Sequence, residues 1–117
     1  MKLRELEKTN LTNLAVINLK QTQYKRCIDF CEKAIELEGE DAFTTCSIKA
    51  YFLMGKALID HTEYTKAITC FEKLVQLSEA NNDEQVREEA QKELNRAKAK
   101  TKQYKDKFAA MAKKMFS

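Results

Sequence analysis

Proline is absent from this chain, glycine occurs twice and histidine once. Lys, Glu, Ala, Leu and Gln dominate, and turn residues are scarce, which favours helix over strand throughout. No apolar run approaches the roughly 20 residues that a membrane-spanning helix needs. The opening MKLRELEKTN is charged where a secretory signal would be apolar. A soluble protein of the cytoplasm or nucleus is the expectation. With 117 residues there is room for one domain and one modest core. The chain has no glycine-rich phosphate loop and no nucleophile–base pair at a recognisable spacing, so no catalytic residue and no cofactor are expected. The lone His61 falls in the predicted turn DHTE, where a solvated imidazole is the plain reading.

Four cysteines are present, Cys27, Cys31, Cys46 and Cys70. A helical chain of this kind does not need disulfide staples, and reduced, buried thiols suit the cytosol or nucleus. Cys27 and Cys31 are four apart and share a helix face. A structural zinc would want two further ligands, so small core residues are the better reading and no metal site is expected.

The formal net charge is +3 and unevenly placed. From Arg96 onward eight basic residues stand against Asp106 alone, a formal +7, which leaves −4 for the rest. The net +3 is too little to imply nucleic acid by itself.

The chain repeats itself at an offset of 40 residues. Placing Asn13–Leu37 above Leu53–Leu77 pairs Tyr24 with Tyr64, Ile28 with Ile68, Glu32 with Glu72, Lys33 with Lys73 and Leu37 with Leu77. Ala15 meets Gly55 and Cys27 meets Ala67. Each copy reads as a helix pair. In the first, Leu14, Ala15 and Leu19 mark one helix, QTQ breaks it, and Tyr24, Ile28, Cys31, Ala34 and Ile35 mark the second. In the other copy Tyr51, Met54, Gly55 and Leu58 are followed by DHTE and then by Tyr64, Ala67, Ile68, Phe71, Leu74 and Val75. Gly55, costly inside the helix KAYFLMGKAL by about 1 kcal/mol against Ala, is read with Ala15 as a small contact point where each first helix lies against its own second helix. Asn81–Asn82 ends the second pair and Asp83 caps the next helix.

From Asp83 onward no breaker occurs. Val86, Ala90, Leu94, Ala97, Thr101, Tyr104, Phe108, Met111 and Met115 recur at steps of three and four, one narrow stripe on a long helix. Its start should cover the end of the repeat stack and its basic remainder should project outward. Helices are expected near 3–20, 24–37, 42–60, 64–79 and 83–115. They group as a first pair (1–38), a second pair (39–80) and the long basic helix (81–117) of one all-α domain of antiparallel helical hairpins.

Small residues at Ala15 and Gly55, aromatics at Tyr24 and Tyr64, and small residues at Cys27 and Ala67 resemble the tetratricopeptide repeat. The usual period is 34 residues; the extra residues here fall in GEDAFTTCSI, and the usual proline near the end of each second helix is missing. The stretches NLAVINLK, CIDFCEKAIELE, KAYFLMGKA and YKDKFAAMAKKMFS are similar to the C-terminal repeat domain of large immunophilins, of the FK-binding and cyclophilin types. That resemblance covers nearly the whole chain. It implies a co-chaperone module for protein–protein recognition, with any peptidyl-prolyl isomerase domain lying outside this chain.

Many such domains grip the C-terminal carboxylate of a heat-shock chaperone tail with Lys, Asn and Arg side chains. Carried over by position, the clamp Asn of the middle repeat falls on Asn13 and the clamp Lys of the last repeat on Lys49. The clamp Arg falls on Leu53, which cannot donate, and the clamp residues of a first repeat have no counterpart. Lys56 lies on the same helix face as Lys49 and is a second candidate cation. With Val16, Phe52 and Leu53 these residues would form an apolar groove with cationic ends, suited to a chaperone C-terminal peptide or to another client with apolar anchors. The plain alternative is that Lys49 and Lys56 are solvated helix residues.

Two further readings stay open. The basic amphipathic helix with Tyr104, Phe108, Met111, Met115 and Phe116 suits calmodulin or an anionic membrane surface; calmodulin binding is also what the immunophilin resemblance implies for this region. The plain alternative is a solvated extension of the capping helix. Nucleic acid fits less well, because the lysines lack interleaved stacking aromatics. Finally, two repeats are fewer than a stable stack usually needs, so the first helix should expose apolar surface near Leu6, Val16 and Leu19, through which the chain could dimerise or exchange helices.

Overall fold

A computed structural model describes the backbone of residues 2–116 and side chains from residue 5; the expected segment ends at Met1 and Ser117 lie outside the described residues. Five helices occur in order: α1 (Lys2–Lys20), α2 (Tyr24–Glu38), α3 (Thr45–Asp60), α4 (Tyr64–Ala80) and α5 (Glu84–Phe116). Substantial packing joins α1 to α2, α2 to α3, α1 to α3, α3 to α4 and α4 to α5. This is the expected all-α array of helical hairpins, and no strand occurs among the described residues.

Three of the four junctions use one turn. Thr22, Thr62 and Asn82 take left-handed backbone angles, φ 59°, 62° and 55°. Around each, the next residue's N–H reaches back to the helix that has just ended: Gln23 to the Asn18 carbonyl, Glu63 to Leu58 and Asp83 to Ser78, at 2.8–2.9 Å. These bonds satisfy carbonyls that a helix end leaves open. Asn tolerates this conformation, whereas a β-branched Thr is strained in it. Asp83 then caps α5, its Oδ1 accepting from the Val86 N–H at 3.1 Å.

The fourth junction, residues 39–44, holds the extra length. Gly39 adopts φ 104° at the end of α2. Helix α3 starts three residues later than the sequence suggested. Thr44 and Ser47 form a reciprocal capping box there, Thr44 Oγ1 accepting from the Ser47 N–H at 3.1 Å and Ser47 Oγ from the Thr44 N–H at 2.9 Å. That cap fixes the entry point, so residues 42–44 remain outside the helix.

The core has two parts. One gathers Ala15, Cys27, Cys31, Ala34, Ala50 and Ala57, small residues where α1, α2 and α3 meet. The other, built by α3, α4 and α5, holds Tyr51, Leu58, Phe71, Leu74, Ala90 and Leu94 among others. Phe71 and Leu74 are fully buried, each worth about 1.5–3 kcal/mol by transfer from water. Gly55 answers to Phe71: a Cβ placed on it would come within 2.3 Å of the ring's Cζ. The sequence expectation of a close contact with its own second helix holds there.

The first helix needs correction. Leu19 is half-buried against the small-residue core and Val16 is also half-buried, while Leu6, Leu14 and Ile17 are the exposed apolar residues. Moved by the repeat offset, these three fall on Cys46, Met54 and Ala57, which face the small-residue core that α3 shares with α1 and α2. In α1 the equivalent positions have no helix over them among the described residues.

Candidate functional site

Where α1 and α3 run side by side, their N-terminal halves and the end of α2 enclose a pocket of about 460 Å³. Glu5, Thr9 and Thr12 come from α1, Glu38 from α2, and Thr44, Thr45, Cys46 and Lys49 from α3 and its cap. Behind its wall the Lys8 Nζ lies 3.0 Å from Glu5 and 3.2 Å from Glu38. The Lys8 and Glu38 side chains are only 11% and 8% exposed, so this pair is desolvated. The hydrogen bond to Glu5, followed by that to Glu38, holds the Lys8 ammonium above the ordinary lysine range.

Lys49 is exposed and makes no ion pair among the described residues. It is the cation that the pocket presents outward; of the four threonines that line it, Thr9 and Thr12 donate within α1 to the Glu5 and Thr9 carbonyls at 3.1 and 3.0 Å, which leaves the Thr44 and Thr45 hydroxyls to support a ligand. Two carboxylates and two ammonium groups give the pocket a formal charge of zero. Such a site can take a single carboxylate on Lys49 with hydroxyl support, and it lacks the excess positive charge that would hold a strongly acidic peptide.

The other sequence candidates are dispersed. Asn13, Val16 and Lys56 do not line this pocket. Lys56 follows Lys49 by seven residues on α3, about 10 Å along the axis. Phe52 is half-buried with its ring centroid 6.4 Å from that of Phe71, and Leu53 packs on the small-residue core. Each turns part of its apolar surface into the fold and leaves part of it accessible.

Sequence reasoning missed Glu5, Lys8, Thr9, Thr12 and Glu38. A signal for the pair was present. At the repeat offset Lys8 stands where the second repeat has Ile48, and Glu38 where it has Ser78, which is fully buried. Two opposite charges at equivalents of covered positions point to a buried ion pair.

The other candidate surface is α5. Its first half seals α4, with Ala90, Leu94 and Ala97 buried. Beyond Thr101 the stripe runs into solvent: Tyr104, Phe108, Met111 and Met115 are 62%, 67%, 62% and 76% exposed, and Phe116 is exposed as well. Tyr104 keeps one contact, an edge-on approach to Tyr64 with ring centroids 6.4 Å apart. The expected outward projection of the basic remainder is present.

The cysteines are free; Cys27, Cys31 and Cys70 are buried and Cys46 is half-buried. Burial pushes the Cys70 thiol up to about 12. Among the described residues no three His, Cys, Asp or Glu side chains gather as a metal site, and no helix is long and apolar enough to cross a membrane.

An array of antiparallel helical hairpins with a small residue at each crossing, a recurring turn and a sealing terminal helix defines a helical-repeat protein. Residues 9–41 and 48–81, more than half of the chain, match the tetratricopeptide repeat, and the chain belongs to that family. It is similar to the 43 kDa receptor-associated protein of the synapse from Gallus gallus, 31% identical over 85 residues. That alignment covers 68% of this chain and 21% of the relative, so the chain spans about a fifth of that protein's length. No solved structure matches. Repeats of this family are protein-interaction modules. The resemblance to the immunophilin branch in particular has no counterpart in these matches.

Proposed function

We propose that this chain is a cytoplasmic protein-recognition module of the co-chaperone type, whose α1–α3 face takes an extended peptide with its terminal carboxylate on Lys49. The observation that carries this reading is Lys49 itself, a cation without an ion-pair partner among the described residues, at the rim of a threonine-lined pocket of about 460 Å³. Charge-assisted bonds to one carboxylate, with hydroxyl donors beside it, are the chemistry such a pocket offers. The acidic C-terminal tail of a heat-shock chaperone is the ligand that the sequence resemblance suggests. Leu53 in place of a clamp arginine and the carboxylates of Glu5 and Glu38 make that interaction weak, in the high micromolar range or above. The name of the synaptic relative records association with a receptor, which supports the broader reading of an adaptor that holds another protein.

Calorimetric titration with a peptide ending Met-Glu-Glu-Val-Asp, beside the same peptide amidated at its C-terminus, tests the reading. Binding that needs the free carboxylate, is lost in Lys49→Ala and tightens several-fold in Glu5→Gln is the expected result. Equal binding of both peptides, or none at millimolar peptide, rejects Lys49 as a carboxylate site.

A further inference from the structure

Two further surfaces are largely uncovered among the described residues, Tyr104 of the second meeting Tyr64 edge-on, and their chemistry is complementary. The first is a groove between α2 and α4, floored by Tyr51, Met54 and Leu58 of α3 and about 450 Å³ in volume. It continues toward the 39–44 loop as a second hollow of about 460 Å³ beside Ile35, Glu36 and Glu40. Charge on its rim is lopsided. On the α4 wall Lys66 is paired with Glu63 at 3.3 Å, and Lys73 with Asp41 at 3.0 Å. On the opposite wall Glu32, Glu36 and Glu40 make no ion pair among the described residues. The groove is therefore apolar along its floor and acidic along one rim.

The second surface is the free end of α5. Tyr104, Phe108, Met111 and Met115 form its exposed apolar stripe. On helical geometry Lys100 and Lys107 flank that stripe on one side and Lys105 on the other, while Asp106 points away. Two such ends laid against each other would set lysine opposite lysine, which opposes pairing of tail with tail. The groove offers the reverse, carboxylates beside an apolar floor. A tail cannot fold back into the groove of its own chain, because α5 is one unbroken helix to Phe116 and α4 lies between them.

Both surfaces open at the same end of the molecule. Glu63 and Lys66 line the groove on one side of α4, and on the other side they line a cleft with Thr101 and Tyr104 at the root of the tail. From Tyr104 the helix runs on to Phe116, about 18 Å. Two copies meeting at this end can each offer a tail to the other, and the reciprocal contact closes on itself. We propose that this chain forms a two-fold dimer by exchanging tails, residues 104–116 of each copy lying in the α2–α4 groove of its partner with lysines against Glu32, Glu36 and Glu40. This inference is independent of the Lys49 reading.

Sedimentation equilibrium of the full chain over micromolar to sub-millimolar concentration tests it. The expected mass is twice the 13.6 kDa of the protomer, with association weakened at least tenfold at high salt. Phe108→Glu and, separately, Glu32→Lys with Glu36→Lys should each give monomers with unchanged helical circular dichroism. Adding Lys105→Glu and Lys107→Glu to the groove variant should restore the dimer. A monomeric wild-type chain throughout this range overturns the proposal, whether or not the tail then captures calmodulin or anionic vesicles. So does a dimer that ignores the groove substitutions, because its interface would lie elsewhere, such as the exposed side of α1.

Discussion

At an offset of 40 residues Cys31 of the first repeat stands where the second has Phe71, and Ala15 stands where the second has Gly55. All four are buried. In the second repeat the helix crossing gives up a Cβ to admit an aromatic ring; in the first it keeps the Cβ and takes a small side chain. The neighbouring pair shows the same trend, Ala34 against Leu74. Equivalent backbones are thus held apart by different divisions of the same space. The consequence is energetic. The second repeat buries large side chains and is covered on its far side by α5, whereas the first rests on alanines and cysteines and leaves Leu6, Leu14 and Ile17 exposed.

The largest test of that contrast is Phe71→Ala. It should cost about 3–5 kcal/mol in chemical denaturation, against about 1 kcal/mol for Cys31→Ala at the equivalent position. Equal losses would mean that the two cores carry the same load. Next comes Gly55→Ala. The added methyl meets a fully buried ring at 2.3 Å, so a loss of about 1–3 kcal/mol is expected. In a Phe71→Ala background the same change should turn into a gain of up to about 1 kcal/mol, since only helix propensity remains. A loss that persists without the ring would show that the clash is not its cause.

A smaller effect concerns the turns. Thr62→Gly should raise stability by roughly 0.5–1 kcal/mol by removing a β-branched residue from φ 62°. Thr22→Gly in the first repeat should yield less, if that repeat opens before the rest of the molecule does. The finest comparison uses thiol labelling under native conditions. Cys46, half-buried, should react first, then Cys27 and Cys31, and Cys70 last, since the three buried thiols react only when their surroundings open and the repeat that holds Cys70 is the firmer one. Cys70 reacting as fast as Cys31 would remove the proposed difference in local opening.

Much of the architecture was legible beforehand because hairpin helices announce themselves through apolar spacing, and the 40-residue offset tied equivalent positions together. Gly55, the Asp83 cap and the seal made by Ala90 and Leu94 are all consequences of local pattern. What could not be read is what covers each face. Leu14 and Leu19 are both leucines on one helix, yet the small-residue core takes in the second and leaves the first exposed. Phe52 and Leu53 look like groove residues until their own contacts with Phe71 and the small-residue core are known. The Lys49 pocket was half legible: Lys49 came from the repeat register, but Thr9, Thr12 and the buried Lys8–Glu38 pair depend on where α1 meets the end of α2. The α2–α4 groove left no local mark, because its walls come from segments far apart in sequence.

The order of packing along the chain also bears on how the molecule forms. Every substantial helix contact joins neighbours in sequence, apart from α1 with α3, which are separated by one helix. Contacts so local imply rapid folding with little loop-closure cost. They also imply an order during synthesis. The first hairpin emerges with only alanines and cysteines to hold it, so it should stay loose until α3 arrives to complete its core. The second hairpin comes next, with Phe71 to close on Gly55, and α5 locks α4 last. A nascent chain that has emerged only to residue 44 would therefore stay open to chaperones, and one that has emerged to residue 100 would already hold its sealed core.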